Sequence, residues 1–176
     1  MTQPAIQEKF FALYRVSAEY LTDFLKRGNI DEYAIRANEF DVFCAFWVTA
    51  CYLRSTSQPS EKVVEEFNRS IVVSIVDRII ASQPHELADE RIDSLSQTIT
   101  HVFVERFSSY REFFQTDLGQ RESGSIRLFP ALVEGFLGNI LDKPVPEHSP
   151  VRQLLDTTLE DMLNRSTIFW STDLSQ

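Results

Sequence analysis

Apolar side chains in this chain of 176 residues recur every three or four positions in most segments, and strict alternation is absent. That period predicts helices. In residues 4–27, Ile6, Phe10, Leu13, Tyr14, Leu21 and Phe24 share one face, and Gly28-Asn29 is placed to end the helix. In residues 59–82, Val64, Phe67, Ile71 and Ile75 form a stripe opposite Glu61, Glu65 and Glu66. Residues 84–115 are the longest periodic run, with Ile92, Leu95, Ile99, Val102, Phe103, Tyr110 and Phe113 in register. These two helices open on one string, Ser57-Gln58-Pro59 and Ser82-Gln83-Pro84, which sets proline in the first turn. The residues beyond the strings differ, so no internal repeat is expected. Segments 128–141 and 150–170 follow, separated by a proline-rich connection and the cap Ser149-Pro150.

Residues 31–54 differ from the rest. Their part 40–53 is apolar around nearly its whole circumference, so it must be enclosed on most sides. As a helix it spans about 21 Å, short of the roughly 30 Å core of a bilayer. A core helix is expected there, not a membrane span. The predicted fold is all-α: a single-domain bundle, residues 1–176, of about six helices around a mostly enclosed second helix.

Composition agrees with that expectation. Five glycines in the whole chain argue for long helices with short connections, and fourteen phenylalanines supply a core. A formal net charge of −9 and a pI near 4.8 oppose binding to nucleic acid or an anionic membrane surface. Cys44 and Cys51, two helical turns apart in the apolar segment, cannot bridge and read as inert core residues. Met1-Thr2-Gln3-Pro4 leads straight into an amphipathic helix, without a charged and then apolar leader, so the expected compartment is the cytoplasm.

Chemistry is harder to find. His85, His101 and His148 form no helical metal spacing, and Ser123-Gly124-Ser125 is neither a nucleophile elbow nor a phosphate loop. No catalytic residue, metal ligand or cofactor motif is assigned. Residues 116–127, non-periodic and with two glycines, read as a mobile loop in which Arg121 and Arg127 are candidate partner-binding residues. Gly135 and Gly138 are expected either to admit a close neighbour or to be tolerated at a cost in helix stability.

Two arginines break the hydrophobic rule. Arg106 falls in the middle of the apolar face of its helix, and Arg78 lies close to the axis of Ile71 and Ile75. An arginine in such a stripe needs a carboxylate, backbone carbonyls or an anionic ligand. Asp41 and Glu134 are the candidate partners, and with the two arginines they make up the candidate ligand site. The leading functional expectation is a non-catalytic protein-interaction module of accessory, adaptor or inhibitor type, with a protein partner or a homodimer compatible with it. The alternative is a small-molecule or anion sensor with a cavity between helices, and an enzyme of unrecognised type ranks third. A filled core with an exposed apolar patch favours the first, and an interior pocket walled by arginine favours the second.

Overall fold

The computed structural model describes residues 3–30, 36–85, 87–122, 129–141 and 144–171. Six helices follow in order: α1 (Gln3–Arg27), α2 (Ala37–Ser55), α3 (Glu61–Ala81), α4 (Asp89–Glu122), α5 (Pro130–Ile140) and α6 (Pro150–Ser171). The architecture is an all-α single-domain bundle, with no strand among the described residues.

The enclosed second helix is its axis. α2 packs against all five other helices, and those five follow one another around it as α1, α3, α4, α5, α6 and back to α1. Every residue from Phe43 to Val48 is 1% exposed or less, which explains why this segment has no polar face. Phe43, Phe46 and Trp47 meet Tyr110 and Phe114 of α4 and Phe129 and Phe136 at α5, in edge-on and tilted ring contacts. Tyr52 at the other end packs with Phe10 of α1 and Trp170 of α6.

Local chemistry sets the helix ends. Asn29 takes the left-handed conformation at φ 51°, while Ile30 N–H donates to the Leu25 carbonyl and Asn29 N–H to that of Lys26. That is a Schellman stop, with Asn29 and not Gly28 in the left-handed position. Ser60 caps α3 by accepting from Val63 N–H at 3.4 Å. The second Ser-Gln-Pro string does not open a helix. His85 stands there where the first string has Ser60 and has no short acceptor to cap with, so 82–85 form a turn and α4 starts at Asp89.

The far end of α4 also departs from expectation. Residues 116–122, expected as loop, continue the helix to Glu122, and Arg121 lies in its last turn; Arg127 lies outside the described residues. Asp117 is the reason. It continues the inward series of Phe103, Tyr110 and Phe114, and it is buried with a polar task. Its two carboxylate oxygens accept the Ala131 and Leu132 N–H groups, both at 2.8 Å, and Asp156 of α6 accepts Phe129 N–H at 2.8 Å. Pro130 has no N–H, so two carboxylates from neighbouring helices take up the donors that open α5.

Candidate functional site

The two arginines singled out by pattern both reach the N-terminal half of α2, from the adjacent helices α3 and α4. Arg78 of α3 pairs with Asp41 and also donates to Asn38 Oδ1 at 3.2 Å. Tyr14 of α1 donates its hydroxyl to the other Asp41 oxygen at 2.6 Å. Burial first, then the Asp41 bond, holds the Tyr14 phenol protonated well above its ordinary range. Arg78 keeps half of its side-chain surface in water.

Arg106 of α4 donates Nε–H to Glu39 Oε1 at 2.8 Å. Tyr110 O–H donates to Glu39 Oε2 at 3.4 Å, and Asn139 of α5 donates to the Tyr110 oxygen at 3.3 Å. A polar chain thus links α2, α4 and α5 through one carboxylate. Glu39 was not among the residues singled out by sequence. As an acid in the first turn of a helix it resembles an ordinary complement to the dipole, and only the fold turns it toward α4.

Between the two pairs lies an open depression of about 400 Å³, lined by Arg36, Asn38 and Glu39 over Val42, Ile75 and Phe103. Glu134 is elsewhere. It pairs with Arg152 of α6, whose Nε–H also donates to the Pro146 carbonyl at 2.9 Å, beside a cleft of about 480 Å³ that His148 and Asp156 help to line. Of the four candidate ligand residues, the fold brings together Arg78 and Asp41; Arg106 takes Glu39, and Glu134 stands apart.

The chemistry available at these clusters is structural. Each carboxylate of the three pairs is engaged by a guanidinium, and the two phenols are held as proton donors, Tyr110 by burial and the Glu39 charge. Burial raises the Cys51 thiol to about 12 and the Cys44 thiol well above its ordinary value. Among the described residues no group of three or more His, Cys, Asp or Glu is placed to hold a metal, and no helix is long and apolar enough to cross a membrane.

Part of the apolar exposure lies on a different surface, while Phe11, Leu53, Val102 and Ile168 are exposed elsewhere. Along the outer seam of α3 and α4 runs a groove of about 530 Å³, lined by Val72, Phe103, Val104 and Phe107 with Asn68, Thr100 and Ser108. Val104 is 57% exposed, and Val73 on the neighbouring turn of α3 is 51% exposed. The charged side chains lining it are Glu65 and Arg69, which pair with each other at 2.8 Å. Asn68 Oδ1 is buried there with no hydrogen-bond partner among the described residues. A trace of this groove existed in sequence: Ser96, Thr100, Val104 and Ser108 at intervals of four form an uncharged line on an otherwise polar helix. Comparison of the chain with protein-family models, with curated proteins and with solved structures finds no match.

Proposed function

We propose that this chain is a non-catalytic protein-interaction module whose docking face is the α3/α4 groove. The observation that carries the reading is the gathering of Val73 and Val104, both more than half exposed, beside a groove floored by Val72, Phe103 and Phe107. Apolar surface left in water beside a concave seam is what a helix-packing partner covers. The reading takes the cytoplasm as its setting, where the free Cys44 and Cys51 suit a reducing environment.

The alternative, an anion sensor at the depression beside Arg36, is less well supported. Arg78 and Arg106 already hold Asp41 and Glu39, so an incoming anion would have to displace a carboxylate at either arginine.

Photocrosslinking in the host tests the proposal. A benzoylphenylalanine at position 104 should yield a crosslinked protein adduct, and the same probe at position 168, on the exposed part of α6, should not. Equal adducts at both positions, or none at 104, would remove the docking face.

A further inference from the structure

We infer that the partner segment seated in the α3/α4 groove is a single short amphipathic helix that presents uncharged apolar anchors on one face. The inference rests on the docking reading above and names the class of its occupant. The lining runs over residues 65–72 of α3 and 100–108 of α4, which at 1.5 Å per residue gives the groove a length of about 10–12 Å. With two packed helix axes about 10 Å apart, the seam covers on the order of 100 Å² in projection. A standard interface between folded proteins takes roughly 800 Å² from each partner, so the seam matches one inserted element and not a whole domain face. A helix fits it in length. Anchors at i, i+3 or i+4, and i+7 span about 10.5 Å, and they enter over Val72, Phe103 and Phe107 with Val73 and Val104 on the flanks.

Backbone chemistry decides between a helix and an extended peptide. α3 and α4 are continuous helices through these residues, so their own N–H and C=O groups are bonded within each helix, and no strand edge stands open among the described residues. An extended segment over the same length would lay about three residues, at roughly 3.3 Å each, on an apolar floor. Its inward N–H and C=O groups would lose water and gain little in return. The polar side chains of the lining are few, and Thr100 already donates its hydroxyl to the Ser96 carbonyl at 2.8 Å. A helix arrives with its backbone bonds made. Charge adds one restriction: Glu65 and Arg69, the charged residues of the lining, pair with each other at 2.8 Å, so the inserted face is apolar.

Selection from a display library of random peptides of about 16 residues, long enough for two turns beyond the seam, tests this with the full chain as bait. Enriched sequences are expected to carry large aliphatic or aromatic residues at i, i+3 or i+4, and i+7, with no proline between them. Val73→Asp and Val104→Asp, both at exposed positions, should each weaken binding of those peptides at least about tenfold while circular dichroism shows unchanged helix in the chain. Ile168→Asp, on α6, should bind as the wild type does. Enrichment of apolar residues alternating at i and i+2 overturns the inference, as do peptides that bind Val104→Asp equally well or a selection that yields no binder. Failure here is separable from failure of the docking reading: a crosslink from position 104 in the host that maps to several distant segments of its protein partner keeps the groove and removes only the single helix.

Discussion

Arg106 reaches across from α4 to Glu39 of α2 with its Nε 2.8 Å from the carboxylate, and the two ends of this pair differ in exposure: 38% of the arginine side chain is in water but only 9% of the glutamate. Removing the guanidinium therefore leaves a charge that water cannot fully reach, with Tyr110 as the remaining donor among the described residues. Arg106→Ala is expected to cost about 2–3 kcal/mol, below the value for a fully buried pair because the arginine is partly solvated. Arg78→Ala should cost about 1 kcal/mol, since that guanidinium is half exposed and Tyr14 still donates to Asp41. Urea melts check the order. A larger loss at Arg78 would contradict the ranking.

Gly135 and Gly138 of α5 should respond to alanine with opposite signs. A Cβ at Gly135 would collide with the Phe113 ring of α4, whereas at Gly138 nothing lies within 4 Å. Gly135→Ala is expected to destabilise by about 1–3 kcal/mol through overpacking, and Gly138→Ala to stabilise by up to about 1 kcal/mol through helix propensity. Thermal melts of the two single variants suffice, and equal effects would show that the α4/α5 contact is looser than described.

Asp117 makes a pH prediction. Burial raises its carboxyl above the ordinary 3.8, against the opposing pull of the Ala131 and Leu132 N–H groups, and the Asp156 charge adds to the rise. A carboxyl raised in the folded state binds its proton more tightly there than in the unfolded chain. Its contribution to stability is therefore complete below the unfolded value and is lost as pH rises through the folded one. Asp117→Asn has no proton to lose at this position. The stability of the wild type minus that of the variant should fall as pH rises from about 3.8 toward neutrality. A difference that grows over that interval would mean the two N–H bonds outweigh burial.

The cysteines should be silent in the folded state. Cys44 and Cys51 are 2% exposed or less and their thiols are raised, Cys51 to about 12. Near pH 8 a disulfide reagent should titrate neither thiol until denaturant is added, and both afterwards. Prompt reaction of either one would show that α2 is not enclosed.

What was legible in the sequence follows from what periodicity can report. The enclosed α2 was readable because a helix buried on every side has no polar stripe to hide. Where a polar residue does an interior task, the pattern fails. Asp117 interrupts the apolar series at an inward position of α4 and a glycine follows at 119, so lost periodicity and glycine content predict a loop over residues that are helical to Glu122. Arg106 stands out in the pattern as an anomaly and its partner does not, because pairing Glu39 with α4 depends on the order of helices around α2. The groove escaped for the reverse reason. Val73 and Val104 are apolar residues on outward faces, and a scan for core stripes passes over them.

Native mass spectrometry of the chain isolated from its own host tests the interaction reading most directly. The expected result is a protein complex heavier than the 20.3 kDa of one chain, lost on Val104→Asp and retained on Arg78→Ala. A chain of 20.3 kDa carrying only a small molecule, with that molecule lost when Arg78 or Arg106 is changed, would contradict the interaction reading and move the working site to the arginines beside α2.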